Sequence, residues 1–231
     1  MTKILVSDYD KTFYINDLDI KKNISYVKKF RSNNNLFIIA TGRSYLDFKK
    51  KACHYNIEYD YVFLNHGSTI IDKDDNVLYN FPIKNTNIKL LKKDLELEKS
   101  IEYFCCSKLD SRVEFEHDNL TKIAVRYLPL AGISKIKEKI DNTYLNINSY
   151  LVSSNMLEII SNKTNKSNAI KILINDLKLN DVLVYTIGDS YTDINMVKDF
   201  NGYCMKDSVQ ELKNVSIKEY KSVSELIKEI I

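Results

Sequence analysis

Tryptophan is absent from this 231-residue chain, and proline, glycine and cysteine are scarce, with two, five and four residues. This composition excludes collagen-like and Pro/Gly-rich proteins, as well as small disulfide-stapled domains, which contain far more cysteine. The four cysteines form no Cys-x-x-Cys pair, and the three histidines have no zinc-type spacing. We therefore expect free thiols, no soft-metal site and a reducing, cytoplasmic setting.

Arginine is also scarce, and long apolar runs are absent. The formal net charge is only +3, from 34 Lys and Arg against 31 Asp and Glu, and just four of the cations are arginine. This balance does not indicate a nucleic-acid-binding protein, because few side chains could contact phosphates bidentately. No apolar run is long enough for a signal peptide or a membrane span. We expect a soluble monomer or weak homodimer that binds neither nucleic acid nor membrane.

The chain does contain four short apolar runs that each end in a polar turn. They are Ile4–Val6, Leu36–Ala40, Tyr61–Leu64 and Val182–Ile187. Continuous runs of this kind are typical of strands buried on both faces of a parallel sheet. Segments with helical spacing, at 24–30, 45–54 and 169–177, alternate with these runs. The alternation predicts an α/β fold with a doubly wound, parallel-sheet (Rossmann-like) core.

The middle of the chain has a different pattern. Helices are predicted at 88–99 and 134–140, and strands at 101–106, 112–117, 123–128, 144–152 and 156–160. Runs of strands punctuated by two helices favour an α+β unit with an antiparallel sheet, inserted into the parallel-sheet domain. We place the core domain at residues 1–81 and 161–231, and the inserted unit at 82–160.

Polar residues follow all four apolar runs. They are Asp8 and Asp10, then Thr41-Gly42-Arg43, then Asn65-His66-Gly67, and finally Gly188-Asp189 with Asp193. Ligands bind at the carboxyl ends of the strands in an open parallel sheet, so these residues should meet at one edge. Two carboxylates about 5 Å apart repel each other by about 3 kcal/mol at an effective dielectric constant near 20, which calls for a cation among them. An all-oxygen ligand set favours a hard ion, and Mg²⁺ in particular because it works with phosphates.

Each of these residues also has a purely structural interpretation. The two aspartates after the first strand could be turn residues, and His66 a satisfied core histidine. Thr41 could be the N-cap of the helix near Tyr45, and Arg43 an ion-pair partner. What favours a ligand site is that four polar clusters coincide at one edge of the sheet.

Two further features bear on the same edge. Ser190 with Asp193 resembles a capping box, a structural role for that acidic residue. Lys163 and Lys166 flank the start of a predicted helix, where the helix dipole disfavours a cation unless it holds an anion. We prefer Lys166 for that task because of the motif in which it lies.

Four ordered segments resemble the motifs of the haloacid dehalogenase-like (HAD) hydrolase superfamily. They are Asp8–Thr12, Ala40–Arg43, Lys166–Ile170 and Gly188–Met196. With an insert between the second and third motifs, the chain looks most like the Cof-like subfamily (IIB), whose HAD core carries an inserted α+β C2-type cap. The chain departs from the pattern at Lys11, where glycine is usual, and at Thr192, where asparagine is usual.

The resemblance implies a Mg²⁺-dependent phosphatase that forms an aspartyl-phosphate. Asp8 would be the nucleophile and Asp10 the general acid and base. The metal would be held by Asp8, Asp189 and the backbone carbonyl of Asp10, with Asp193 in support. Thr41 and Lys166 would complete the catalytic set, Thr41 by donating a hydrogen bond to a phosphoryl oxygen and Lys166 by offsetting its charge. The substrate would be bound by five residues: Thr41, Gly42, Arg43, Asn65 and Lys166.

The resemblance also implies that the inserted unit covers the strand ends as a lid and selects the leaving group. Because this unit is short for the subfamily, we expect a small phosphorylated metabolite, such as a sugar phosphate, as substrate. Three alternatives stay open: a sugar phosphomutase, a phospho-accepting signalling module, and a non-catalytic binding protein disabled at Lys11. Receiver-type signalling modules are about half as long and place their acidic pair and acceptor on different strands.

Overall fold

The computed structural model describes residues 1–84, 86, 88–129, 131–179 and 181–231. Its strands are β1 (Thr2–Asp8), β2 (Leu36–Ala40), β3 (Tyr61–Leu64), β4 (Thr69–Asp72), β5 (Val77–Asn80), β6 (Ser100–Ser107), β7 (Asp110–Val113), β8 (Lys122–Tyr127), β9 (Ile147–Ser153), β10 (Met156–Ser161), β11 (Val182–Gly188), β12 (Asn201–Met205) and β13 (Glu219–Tyr220). Its helices are α1 (Asp17–Ser32), α2 (Tyr45–Tyr55), α3 (Ile88–Asp94), α4 (Ile133–Thr143), α5 (Lys166–Asp176), α6 (Ile194–Asp199), α7 (Gln210–Lys213) and α8 (Val223–Ile230). Within these described ranges, no helix combines the length and apolarity needed to cross a membrane.

The larger sheet has eight strands in the order β13-β12-β11-β1-β2-β3-β4-β5. The pairs from β13 to β3 are parallel, and β4 and β5 extend the sheet as an antiparallel hairpin. The four apolar runs of the sequence are its adjacent central strands β11, β1, β2 and β3. The predicted doubly wound α/β core is therefore confirmed.

Both faces of this sheet are covered because successive strand residues point to opposite sides. Leu5 packs into a cluster with residues of α1, α2 and α8, whereas Ile4 and Val6 pack into a second cluster with residues of α5, α6 and α7. All three of these β1 side chains are at most 1% exposed. Two-sided burial explains why the strands are continuously apolar rather than alternating.

The second sheet, here called the inserted sheet, contains β6 to β10 in the order β7-β6-β8-β10-β9, and every pair is antiparallel. One face packs against α3 and α4 through a third apolar cluster that includes Ile123 and Val125. The alternate residues of β8, Lys122 and Arg126, therefore lie on the opposite face. That face borders the carboxyl ends of the core strands, where a cavity opens.

Three predicted elements of the middle region have different bounds in the structure. The helix predicted at 88–99 ends at Asp94, because Glu96 has a left-handed backbone with φ of 47°. The strand predicted at 112–117 ends at Val113, after which Phe115 turns inward and is 2% exposed. The strand predicted at 144–152 starts only at Ile147.

Candidate active site

A cavity of about 440 Å³ lies between the carboxyl ends of the core strands and the inserted sheet. The core contributes Asp8, Asp10, Lys11, Gly42, Arg43, His66, Lys166 and Asp189 to its wall, and the inserted sheet contributes Phe104, Lys122, Arg126 and Glu158. The structure thus brings residues from all four predicted polar clusters to one place. Thr41, Asn65 and Asp193 are buried close by and do not line the cavity.

Three carboxylates converge below the cavity. Ligand oxygens of Asp8, Asp189 and Asp193 all lie within 4.8 Å of one another. The Lys166 ammonium sits among them, 2.5 Å from Asp8 Oδ1 and 2.6 Å from Asp193 Oδ1, and its side chain is 1% exposed. Burial alone would lower the pKa of Lys166, but the charges of Asp193 and Asp8 outweigh it and raise the pKa. Lys163, the alternative considered from the sequence, is exposed.

Asp193 is held by the turn that follows β11. Its Oδ2 accepts the backbone N–H groups of Asp189 and Ser190 and also the Ser190 hydroxyl, so the capping box predicted from the sequence is confirmed. A Cβ at Gly188 would lie only 2.4 Å from Asp193 Cγ, so this approach requires glycine. With both oxygens engaged inside the chain, Asp193 supports Lys166 and the turn.

The remaining acidic groups carry more negative charge than Lys166 can balance. Burial, together with the charge of Asp193, raises the pKa of Asp189 to about 6, although Thr12 donates a hydrogen bond to its Oδ1 at 3.1 Å. Burial likewise raises the pKa of Asp8 well above its usual value, despite the nearby Lys166 ammonium. Buried carboxylates that lie this close together and offer only oxygen donors fit a hard divalent cation such as Mg²⁺.

Asp10 is arranged differently from the sequence-based expectation. Arg43 donates to both of its oxygens, with Nε 2.8 Å from Oδ2 and Nη2 2.7 Å from Oδ1. The Asp10 carboxylate is therefore neutralised by Arg43 and lies outside the cluster of three carboxylates. The interpretation of Arg43 as an ion-pair partner is therefore confirmed, and its partner is Asp10, 33 positions away, which no local pattern in the sequence indicates.

The turn after β2 carries two more of the predicted residues. The Thr41 hydroxyl accepts the Arg43 N–H at 3.1 Å, and the N-cap of α2 is Ser44, so the interpretation of Thr41 as that N-cap is wrong. The His66 ring lies directly over Gly42, where a Cβ would come within 2.6 Å of it. The Gly42 N–H has no hydrogen-bond partner among the described residues. It is therefore a donor available beside the cavity.

Asn65 faces the inserted unit rather than the cavity. Its side-chain Nδ2 donates to Thr121 Oγ1 at 3.3 Å. The side-chain oxygen Oδ1 is buried without a hydrogen-bond partner in the described part of the chain. The backbone N–H of Asn65 nevertheless supports the site, because it donates to Arg43 O at 3.0 Å.

A buried polar group on the inserted sheet was missed by the sequence analysis. Glu158 on β10 accepts from His66 Nε2 at 2.5 Å and from Lys122 Nζ at 3.1 Å. Burial would raise the pKa of Glu158, but Lys122 and His66 together lower it to about 2. Burial lowers the pKa of His66, and the ring donates its Nε2–H to Glu158 while its Nδ1 has no hydrogen-bond partner in the described part of the chain. One feature of the sequence could have indicated this group. Lys122 directly precedes the apolar residues of β8, and a charged residue at such a buried position needs a partner of opposite charge.

Comparison with known proteins identifies the family. The model of haloacid dehalogenase-like hydrolases matches residues 5–122 and 106–225 of this chain. The chain belongs to the haloacid dehalogenase-like hydrolase family. This confirms the superfamily expected from the four motifs.

Two relatives match this hydrolase over nearly its whole length. An uncharacterized protein of Mycoplasma capricolum subsp. capricolum is 28% identical over 250 residues, covering 91% of this chain and 93% of its own. A protein of Buchnera aphidicola subsp. Baizongia pistaciae, named "Putative phosphatase", is 23% identical, covering 100% of this chain and 98% of its own.

Solved structures show the same fold at lower identity. A haloacid dehalogenase-like hydrolase from Bacteroides thetaiotaomicron superposes with a TM-score of 0.81 at 16% identity and covers 100% of both chains. The sucrose-phosphatase from Synechocystis, solved with sucrose and phosphate, superposes with a TM-score of 0.75 at 20% identity, covering 100% of this chain and 97% of its own.

Proposed function

We propose that this hydrolase is a Mg²⁺-dependent phosphatase that cleaves the phosphomonoester of a small metabolite through an aspartyl-phosphate on Asp8. The observation that carries the proposal is the Lys166 ammonium, buried 2.5 Å from Asp8 and 2.6 Å from Asp193 at the end of the central strand β1. A carboxylate can approach an anionic phosphate only where positive groups offset the repulsion. Lys166 is placed to do so.

The relatives support the reaction and the size of the substrate. The Buchnera protein bears the name of a phosphatase, and the Synechocystis protein acts on a phosphorylated sugar by its name. A cavity of about 440 Å³ fits a ligand of that size. We therefore infer a small phosphorylated compound, such as a sugar phosphate, as substrate.

The chemistry follows from the positions of the side chains. Asp8, Asp189 and the backbone carbonyl of Asp10 would hold Mg²⁺, which when bound neutralises charge on the phosphoryl oxygens. An Asp8 oxygen attacks phosphorus, the bond from phosphorus to the ester oxygen breaks, and Asp10 donates a proton to the departing alcohol. Asp10 then takes a proton from the water that attacks the aspartyl-phosphate, releasing inorganic phosphate and regenerating Asp8.

Other groups of the site bind the phosphoryl oxygens during these steps. Lys166 and the free N–H of Gly42 line the cavity as donors. Thr41 is buried beside the cavity, and because its hydroxyl oxygen accepts from the Arg43 N–H, its hydroxyl proton is left to donate to a phosphoryl oxygen. Arg43 holds Asp10 in this arrangement. We infer that Asp10 leaves Arg43 when it takes up the proton that it later donates.

The decisive experiment measures p-nitrophenyl phosphate hydrolysis with Mg²⁺ for the wild type and Asp8→Asn. We expect the wild type to release p-nitrophenol and phosphate, and the variant to lose at least about 10³-fold in kcat, as is common for an essential nucleophile. Asp207→Asn, at an exposed aspartate, is the matched control and should retain full activity. Turnover that survives in Asp8→Asn would refute the assigned nucleophile, and a requirement for a sugar bisphosphate activator would favour a mutase.

A further inference from the structure

The turn formed by Thr41, Gly42 and Arg43 is held at three consecutive carbonyl groups. His66 N–H donates to Thr41 O at 2.9 Å, and Asn65 N–H donates to Arg43 O at 3.0 Å. Both of these donors belong to the core, at the end of β3. The middle carbonyl, Gly42 O, accepts instead from Lys122 Nζ at 2.6 Å, a residue of the inserted sheet.

The Lys122 contact acts on the peptide unit that joins Gly42 to Arg43. The carbonyl of this unit accepts from Lys122, and its N–H donates to Thr41 Oγ1 at 3.1 Å. The peptide is therefore fixed at both ends, and its orientation determines where the Thr41 hydroxyl directs its own proton. The same peptide sets the start of the Arg43 side chain, which reaches Asp10.

Lys122 is itself held in place by buried partners. Its side chain is 3% exposed, and its ammonium contacts Glu158 Oε1 at 3.1 Å as well as the Gly42 carbonyl. Glu158 in turn contacts the His66 ring, which lies over Gly42. The four residues form a closed ring of contacts across the boundary between the two sheets. A buried ammonium with two fixed acceptors has little freedom to move away from the turn.

We propose that Lys122 is a positioning residue for phosphoryl transfer: from the inserted sheet, it orients the Gly42–Arg43 peptide so that the Thr41 hydroxyl meets the transferring phosphoryl group and the Arg43 side chain reaches Asp10. The proposal rests on the proposed function of the same site. It assigns to the inserted sheet a direct part in assembling the phosphate-binding turn.

The test compares Lys122→Met/Glu158→Gln with Glu158→Gln alone. Lys122→Met by itself would leave Glu158 buried beside only His66, and Glu158→Gln by itself would leave the Lys122 ammonium buried beside only the Gly42 carbonyl, so each single variant is expected to destabilise the fold. The double variant removes the charge pair as a unit and keeps the net charge of the wild type. The thermal unfolding of both variants is measured together with their activity, so that a loss of folded structure is distinguished from a displaced turn.

We expect kcat for p-nitrophenyl phosphate to fall about 10- to 100-fold from Glu158→Gln to the double variant, since a displacement of about 1 Å can cost this much. KM should change far less, and the affinity for orthovanadate, a mimic of the transferring phosphoryl group, should fall with kcat/KM. A merely structural role would leave kcat and orthovanadate affinity equal in the two folded proteins. That result would overturn the proposal.

The proposed function can fail separately from this inference. A wild type that hydrolyses no phosphate ester would contradict the proposed function. Orthovanadate affinity, measured by calorimetry with Mg²⁺, would then still compare the two variants. Equal affinities would overturn the positioning role, and a loss of affinity confined to the double variant would support it.

Discussion

At the scale of single residues, the turn after Asp10 carries a lysine in a conformation that suits glycine. Lys11 has φ of 60°, in the left-handed region that costs a side-chain-bearing residue about 1–2 kcal/mol. This is the position at which the family motif has glycine, so the backbone keeps the shape of the motif although the side chain has changed. The departure seen in the sequence is thus accommodated as local strain.

Lys11→Gly should therefore raise the free energy of unfolding by about 0.5–1 kcal/mol, because the relief of strain exceeds the entropy that glycine loses on folding. Turnover should stay intact or increase. Urea unfolding and p-nitrophenyl phosphate assays check both expectations. Lys108→Gly is a matched control, since Lys108 also has a left-handed backbone, with φ of 45°, and does not line the cavity. A collapse of turnover in Lys11→Gly alone would instead give Lys11 a working role.

The assigned acid role of Asp10 makes a second prediction. Asp10→Ala should slow the hydrolysis of an alkyl phosphate, whose alkoxide needs a proton, far more than that of p-nitrophenyl phosphate. A difference of about 10²-fold between the two substrates is typical of a general acid. The measurement is kcat/KM for both esters in the variant and the wild type. Equal losses would mean that removing the partner of Arg43 had disturbed the site in general.

The site residues that could be predicted from the sequence are those that lie in local patterns. Asp8 and Asp189 follow apolar runs, so the pattern of strands brings them to one sheet edge, whereas Lys166 was selected by its resemblance to a motif of the family. The Asp10–Arg43 pair and the contact from Lys122 to Gly42 join residues 33 and 80 positions apart. No local pattern selects such partners, because they are fixed only when the sheets pack.

At the scale of elements, the strands buried on both faces were predicted closely, and β2 and β3 have the expected bounds. A continuous apolar run that is bounded by polar residues marks where a strand buried on both faces begins and ends. The inserted sheet was less predictable because only one of its faces is packed by helices. The helix predicted at 88–99 and the strand predicted at 112–117 both end earlier than the apolar pattern predicts, because the backbone turns at Glu96 and beyond Val113.

The turn between β11 and the short 3₁₀ segment Tyr191–Asp193 offers a test at this scale. Gly188→Ala would place a Cβ 2.4 Å from Asp193 Cγ and so push away one of the two carboxylates that hold Lys166. We expect a stability loss of about 1–3 kcal/mol, as for overpacking, together with a clear loss of turnover.

Gly132→Ala is the control for that loss. Gly132 has φ of 73°, and a Cβ added there would have no neighbouring atom within 4 Å, so alanine is strained but clashes with nothing. The control should lose about 1 kcal/mol of stability and keep its turnover. Comparable turnover in the two variants, at comparable stability, would mean that Gly188 does not position Asp193 for the reaction.

At the scale of the whole molecule, the two sheets meet through charge as well as through apolar contact. Glu158 of the inserted sheet is buried between Lys122 and His66, and the latter belongs to the core. The lowered pKa of Glu158, about 2 against an ordinary 4.5, means that its carboxylate stabilises the folded state. Stability from this group is fully present above about pH 4.5 and is lost as the pH falls toward 2.

Acidification should consequently weaken the wild type more than Glu158→Gln. Between pH 5 and pH 3 the wild type should lose about 2 kcal/mol more of its free energy of unfolding than the variant, measured by urea unfolding at each pH. Glu138→Gln, at an exposed position of α4, removes a carboxylate without this environment and should follow the wild-type curve. Identical pH dependence in wild type and Glu158→Gln would show that Glu158 titrates alike in the folded and unfolded chain. The charged contact between the sheets would then contribute nothing to their association, since only a pKa that differs between the two states links protonation to folding.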